Sequence, residues 1–325
     1  QNGTFRDHYI EVPFDLSQVL FITTANSLDT VSRPLLDRME IIELSGYTSN
    51  EKFHIAKDYL VKKSMKNNGL DDNDLTISDD AIEAVIEYYT REAGVRKLEQ
   101  QIGKICRKAV KKLLENAERP IEVTKQNLEE YLGKERFHFE KMNEQDEIGV
   151  ARGLAWTSVG GDTLSIEVNV MPGSGKVELT GKLGDVMKES AMAAISYIRA
   201  NSQKLGIAEN FHKTKDIHIH VPEGAVPKDG PSAGITMATA VVSALTKNPV
   251  RNDIAMTGEI TLRGRVLPIG GLKEKSLAAF RAGITDIIIP NENKADIDDV
   301  PKEVRSKINF IPVKSMDTVL ENALR

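Results

Sequence analysis

Residues Pro227-Lys-Asp-Gly-Pro-Ser-Ala-Gly234 make a glycine- and proline-punctuated loop that delivers a serine, Ser232, to the start of an apolar run. The first turn of a helix exposes N–H groups with no intrahelical acceptor and carries a partial positive charge. An oxyanion forming beside Ser232 would therefore meet donors already in place. A serine at a helix start is commonly a cap, and proline is favoured at the first helical position on steric grounds alone. Here Pro231 precedes the serine, which moves Ser232 past the capping position, and Ala233 and Gly234 leave room for a substrate backbone to approach. Such a serine becomes a nucleophile only if a base can take its proton.

Two kinds of base are present. In Asp216-Ile-His-Ile-His220-Val, strand alternation puts Ile217, Ile219 and Val221 on one face and Asp216, His218 and His220 on the other. This reads either as a Ser–His arrangement or as a polar strand face with satisfied imidazoles, and spacing does not say whether a ring reaches Ser232. The second kind is lysine, in Gly270-Gly-Leu-Lys-Glu-Lys275-Ser-Leu-Ala-Ala-Phe280, which opens a helix after a glycine turn. On the helical wheel Glu274 and Arg281 form the wet face, while Lys273 and Lys275 flank the apolar arc, Lys275 nearer its centre. Burial there lowers a lysine from about 10.4, and full neutrality near pH 7 takes roughly 4 to 5 kcal/mol of differential solvation. The competing reading is snorkelling, with the stem packed and the charge in water, and periodicity alone does not separate the two lysines.

Pro172-Gly-Ser-Gly-Lys176 resembles the end of a Walker A phosphate loop but fails it: Val170 stands where a glycine is required, and Val177 where Ser or Thr must follow the lysine. It is expected to be a hairpin turn between two strands. With no other complete Walker A segment, no phosphate cradle is predicted.

The elements that must hold these residues follow from pattern. The chain has 325 residues, 40% hydrophobic, with a net charge of −5, which predicts a soluble protein of two or three domains. No stretch is apolar and long enough to span a bilayer. The single cysteine, Cys106, sits in the helical stripe Val95, Leu98, Ile102, Ile105, Ala109, Leu113, so no internal disulfide or cysteine metal cluster forms, and no metal site is predicted. With no signal peptide, the expected compartment is the cytoplasm. Val19–Thr24 and Met39–Leu44 read as short strands, the first buried. From Ser49 the period turns helical, starting with Phe53, Ala56, Tyr59 and Leu60. A second helix opens at Ser78 with the stripe Ile82, Val85, Ile86, Tyr89. A third follows Gly94, and a short last one runs from Thr124 to a stop at Gly133. Residues 134–147 are charged and aperiodic and read as a linker. Beyond them strands are predicted at Ala151–Thr157, Thr163–Val170, Lys176–Thr180, Asp216–Val221, Asp253–Leu262, Asp286–Ile289 and Ile308–Val313. Helices are predicted at Asp185–Ser202, Ser232–Leu245, Leu272–Ala282 and Met316–Leu324.

The loop around Ser232, with Thr257-Gly-Glu-Ile-Thr-Leu-Arg-Gly264 and Gly270-Gly-Leu-Lys-Glu-Lys275, resembles the bacterial Lon proteases, and the resemblance extends over essentially the whole chain. It implies that Ser232 is the nucleophile and Lys275 its general base, forming a Ser–Lys dyad that cleaves peptide bonds through an acyl-enzyme, and that His218 and His220 are not the base. Asp229 and Thr257 match supporting positions that shape the site and hold the lysine. Val221-Pro-Glu-Gly-Ala225 and Trp156 are expected to border a substrate groove, although Trp156 reads equally well as a core residue.

The first part of the chain is similar to the latter part of the same family's AAA+ ATPase module. That similarity implies Asn26 as sensor 1, Arg38 as the arginine finger and Arg96 as sensor 2. A planar guanidinium suits such roles because it meets phosphate oxygens bidentately. The implied fold is multi-domain, α and α/β. Residues 1–46 are the remnant of the AAA+ α/β subdomain, 47–133 its all-helical subdomain, 134–147 a linker, and 148–325 the α/β (α+β) proteolytic domain. Full-length members use ATP and Mg; Walker A and Walker B segments are absent here, so the chain reads as a fragment expected to need no cofactor and to hydrolyse no ATP. It is expected to cleave peptides or unfolded chains but not folded proteins. Implied partners are unfolded or damaged proteins and further copies of the chain, six in the family ring. DNA binding has little support from the charge of −5 and no basic stripe, and no membrane partner is expected. The rival reading is a non-enzymatic, AAA+-derived binding module.

Overall fold

A computed structural model describes residues 2–25, 28, 31–42, 44, 46–116, 118–137, 145–157, 160–222 and 229–325. The chain divides into two compact units, Gln1–Ser45 and Gly46–Arg325. Within the first, the described residues form a 3₁₀ turn, Asn2–Thr4, two-residue strands Phe5–Arg6 and Pro13–Phe14, paired antiparallel, and one short α-helix, Arg33–Leu36. The expected buried strand at 19–24 is not a strand: Val19, Leu20, Phe21 and Ile22 are all exposed. Of the second expected strand, the described residues 39–42 and 44 are likewise irregular, and Ile42 and Leu44 are exposed. An apolar run becomes a strand only by pairing, and among the described residues of this unit neither run has a neighbouring strand to pair with.

In the second unit, residues 46–133 close a helical core of their own. A capping box starts the helix Ser49–Ile55: Glu51 N–H donates to the Thr48 hydroxyl at 3.0 Å, and Thr48 N–H to the Glu51 carboxylate at 2.7 Å. The next turn, Ala56–Leu60, is π-helical, with more residues per turn, which brings Ala56 and Leu60 into register on the core. Tyr59, expected on that stripe, is turned out and exposed. Ile82, Val85, Ile86 and Tyr89 are all buried, as the stripe predicts. So is Cys106, in the helix Arg96–Leu114, where burial pushes the thiol up to about 11. That helix also corrects the expectation of no basic stripe, since Lys97, Lys104, Arg107, Lys108, Lys111 and Lys112 run along it. Three of these close onto the short helix Leu128–Leu132: Lys104 donates to the Leu132 carbonyl (3.3 Å), Lys108 to the Glu130 carbonyl (2.8 Å) and Lys112 to the Glu130 carboxylate (2.6 Å). A parallel strand pair, Leu75–Ile77 with Ile121–Val123, was too short to show as periodicity.

The remainder is built on a mixed seven-stranded sheet, in the order 309–313, 286–290, 254–256, 150–157, 160–172, 215–220, 177–180. The first four are mutually parallel, as are 177–180 and 215–220, and 160–172 runs antiparallel to both its neighbours. Period-2 alternation sends the two sides of strands 254–256 and 286–290 into different cores. Ile254, Met256 and Ile288 join Ile235, Val241 and Ile198 on one face, under the helices Asp185–Ala200 and Gly234–Thr246. Ala255, Ile287, Ile289 and Leu154 join Leu272 and Ala279 on the other, under the helix Leu272–Arg281. The helix that follows Ser232 and the helix that carries Lys275 therefore lie on opposite faces of one sheet.

The expected hairpin at Pro172–Lys176 is not one. Strands 160–172 and 177–180 are not paired with each other; 215–220 lies between them. The loop crosses the end of that middle strand, where the N–H groups of Ser174, Gly175 and Lys176 all donate to one carboxylate oxygen of Asp216, at 2.8, 2.9 and 2.8 Å. The loop is indeed an anion cradle, but its anion is internal. These bonds hold Asp216 below the usual carboxylate range. Its contribution is thus complete above that range and lost as pH falls through the lowered folded value. In urea titrations run from pH 6 down to pH 3, the parent's unfolding midpoint should fall more steeply than that of Asp216→Asn, which should start lower at pH 6; superimposable pH profiles would show that the loop's bonds to Asp216 add no pH-dependent stability.

Candidate active site

Beyond the C-terminal end of strand 254–256 the chain breaks at Thr257-Gly258 before resuming as the two-residue strand Glu259–Ile260. The single strand expected over 253–262 is interrupted here because these backbone groups serve the serine segment. Gly258 N–H donates to the Ser232 carbonyl at 2.8 Å, and Ile235 N–H donates to the Gly258 carbonyl at 3.2 Å. Ser232 itself lies in a 3₁₀ turn, Pro231–Ala233, that leads into the helix Gly234–Thr246. The turn starts at Gly230 with φ 124°, a left-handed conformation open to glycine. Ser232 is the second residue of that turn and half-buried.

Lys275 arrives from the other face of the sheet. Its helix begins at Gly271, which has φ 69° and, lacking a Cβ, lets the ring of Trp156 sit against it. Lys275 is 3% exposed, whereas Lys273 is half-buried, so the packing separates the two lysines that the wheel left open. The Lys275 ammonium donates to the Thr257 hydroxyl at 3.1 Å, and that hydroxyl donates to the Ser232 carbonyl at 3.4 Å. Thr257 is fully buried. Among the described residues no carboxylate pairs with Lys275, and burial alone pulls it down to about 8. Roughly a tenth of such lysines are neutral at pH 7, against about one in three thousand for an ordinary one. No hydrogen bond joins Lys275 Nζ to Ser232 Oγ among the described residues; Thr257 stands between the two chains.

Asp229 does not touch the lysine. Its carboxylate accepts the Met187 N–H (3.0 Å) in the first turn of helix Asp185–Ala200, and its own loop's Gly230 N–H (2.9 Å). That helix has Gly184 at its N-cap position and no capping side chain of its own, so Asp229 caps it from the serine loop. Ser190, one turn further on, donates to the Pro231 carbonyl at 3.2 Å. Neither Gly184 nor Ser190 was singled out in the sequence; a glycine directly before an acidic helix start was the available signal. A Cβ on Gly184 would lie 2.3 Å from Asp229 Cγ. Gly184→Ala is therefore expected to drive Asp229 off the helix, lowering kcat for casein cleavage about tenfold or more while costing roughly 1 kcal/mol of stability. An unchanged kcat would show that the cap does not position the serine.

The remaining expected residues are dispersed. His218 and His220 both bond the Thr180 hydroxyl, at 2.8 and 2.7 Å, on the polar face opposite buried Ile217 and Ile219, and neither bonds Ser232. Trp156 is 64% exposed and is not a core residue. Of Val221–Ala225, only 221 and 222 are described; residues 223–228, including Pro227 and Lys228, lie outside the described residues, as does Asn26. Arg38 is exposed just after the helix Arg33–Leu36, and Arg96 is exposed as the first residue of its helix. Among the described residues no group of His, Cys, Asp and Glu could hold a metal ion, and no helix is long and apolar enough to cross a membrane.

A mixed sheet with a serine in the turn before one helix and a buried lysine on another, both bonded to Thr257 at one strand end, defines an α/β domain. The chain belongs to the Lon protease family. Residues 122–325 match the Lon protease (S16) C-terminal proteolytic domain, and residues 66–121 match the Lon protease AAA+ ATPase lid domain. The chain is 58% identical over 324 residues to the Lon protease of Heliobacterium modesticaldum, covering all of this chain and 40% of that protein. It is 59% identical to the Lon protease of Clostridioides difficile (all of this chain, 41% of that protein) and 59% identical to Lon protease 1 of Bacillus subtilis (all of this chain, 42% of that protein). The chain thus spans about two fifths of the length of these relatives.

Proposed function

We propose that residues 148–325 are a serine endopeptidase domain acting through a Ser232–Lys275 dyad. The observation that carries this reading is the buried Lys275 amine, with no carboxylate partner among the described residues, held by a threonine that also bonds the backbone of Ser232. In the neutral form, Nζ takes the Ser232 Oγ proton as Oγ attacks the scissile carbonyl carbon. The developing oxyanion lies against the N–H groups of Ser232 and Ala233 in the 231–233 turn. Collapse breaks the C–N bond, with the proton passing from Nζ to the leaving amine. A water, deprotonated by the same lysine, then hydrolyses the acyl ester and frees Ser232. The reaction needs Ser232 Oγ within reach of Nζ, so the Ser232 side chain or its loop must turn toward Lys275 as substrate arrives. Casein cleavage by the parent, Ser232→Ala and Lys275→Ala tests this: the variants should show no cleavage above background. Cleavage at the parent's rate by both would leave the non-enzymatic binding module as the better account.

The wider reading follows the family. Residues 1–46 belong to an AAA+ α/β subdomain, 47–133 form its helical subdomain, 134–147 link, and 148–325 cut. Asn26, Arg38 and Arg96 sense nucleotide. Exposure of both arginines, with Arg96 at a helix start, suits contact with phosphate oxygens. ATP with Mg supplies the full-length protein with the energy to move substrate. Unfolded or damaged proteins are the substrates, a homohexamer the working assembly, and the cytoplasm the compartment.

A further inference from the structure

Strand 160–172 starts against the helix that carries Lys275. A Cβ on Gly161 would lie 1.9 Å from the Glu274 carbonyl oxygen and 3.0 Å from the Lys275 nitrogen, so this glycine's backbone presses on the turn that presents the base. At the far end of the same helix, Arg281 donates to the Gly161 carbonyl at 2.9 Å. One residue therefore braces both ends of the helix. The next residue, Asp162, pairs with Arg91 of the helical part of the unit. Arg281 is exposed, and the charges of Asp162, Arg91 and Glu87 act on its guanidinium. Glu92, beside Arg91, accepts the N–H groups of Lys97 and Leu98 at 2.8 and 2.7 Å and so closes the start of helix Arg96–Leu114. Residues 91–92 are thereby fixed to the strand that braces the base-bearing helix on one side and to the Arg96 helix on the other.

We propose that Asp162 and Arg281 are positioning residues for the helix that presents Lys275, and that the Arg91–Asp162 pair extends this positioning into the helical part of the chain. The inference rests on Lys275 being the base. Placement errors of about 1 Å in a reacting group cost up to a hundredfold in rate, so a brace at Gly161 acts on kcat without touching substrate.

The test uses labelled casein with the full chain and five variants. Asp162→Asn and Arg91→Met should each lower kcat about tenfold with KM within about twofold, and displace the pH midpoint of kcat. The double variant should be no worse than either single one, because both cut the same link, and Asp162→Glu should restore part of the rate. Additive losses, or a lowered Tm with kcat and pH midpoint unchanged, would overturn the proposal by reducing the pair to a structural tie. Lys275→Met separates the two readings. If it is inactive while Asp162→Asn is normal, only the positioning fails; if it cleaves like the parent, the dyad fails and the positioning falls with it.

Discussion

Lys275→Met should be inactive and, at neutral pH, more stable than the parent. The loss is expected to be roughly 10⁴-fold or more in kcat, the scale seen when one member of a nucleophile–base unit is removed. The gain in stability follows from linkage. The folded state holds Lys275 at about 8, while the unfolded chain returns it to an ordinary lysine value. Between those values the unfolded state binds the extra proton, so the parent becomes more stable as pH rises through that window. Below pH 8 the full cost is present, roughly 3 kcal/mol, and methionine, similar in length and apolar, does not incur it. Urea unfolding at pH 7 and pH 10.5 should show the advantage of the variant shrinking toward zero at the higher pH. In the parent, kcat should climb about tenfold per pH unit below 8 and level off above it, as neutral amine accumulates. Lys275→Arg should be as inactive as the methionine variant because a guanidinium stays charged. A flat kcat profile between pH 6 and 9, or an active arginine variant, would end the case for Lys275 as base.

Thr257→Val should be nearly as informative, since valine keeps the shape and removes only the hydroxyl. That hydroxyl is the acceptor for Lys275 and a donor to the Ser232 carbonyl, so its loss frees the amine from its place and loosens the serine turn together. A fall in kcat of about a hundredfold is expected, with a stability cost of about 1–3 kcal/mol for the buried polar group left without a partner. The sign of the pH shift is specific: the hydroxyl oxygen stabilises the ammonium more than the amine, so without it the pH midpoint of kcat should move below 8. Thr257→Ser keeps the oxygen and should stay within a few-fold of the parent. A valine variant with full kcat would show that Lys275 is positioned by its helix alone.

Strands 150–157, 215–220 and 309–313 and the helices after Asp185, Leu272 and Met316 follow from short apolar runs, alternation and helical stripes; 215–220 buries one face, whereas 150–157 and 309–313 send residues into both cores. Val19–Ile22 misled by the same rule: an apolar run reports a wish to be buried, and a strand also needs a partner with matching backbone groups. The Pro172–Lys176 loop misled differently. Its glycines do mark a place where backbone N–H groups gather on an anion, but Asp216, forty residues away, supplies the carboxylate. The wheel placed Lys275 nearer the apolar centre, and burial of that residue but not of Lys273 agrees with it. Tyr59 escaped because a π turn changes the period that the wheel assumes.

By itself the sequence determined which residues could do chemistry and what each needs locally: a serine behind a proline at a helix start, a lysine on an apolar arc, glycines where the chain must turn sharply. Those are short-range matters of side-chain type and backbone freedom. Only the tertiary structure decided that two helices on opposite faces of one sheet bring Ser232 and Lys275 together at Thr257. It also decided that Asp229 caps a helix begun by Gly184, and that Gly161 braces the lysine helix. Each of these contacts joins residues at least eighteen positions apart, and where such partners meet is set by strand order and by which face each helix covers. Local pattern carries no record of either.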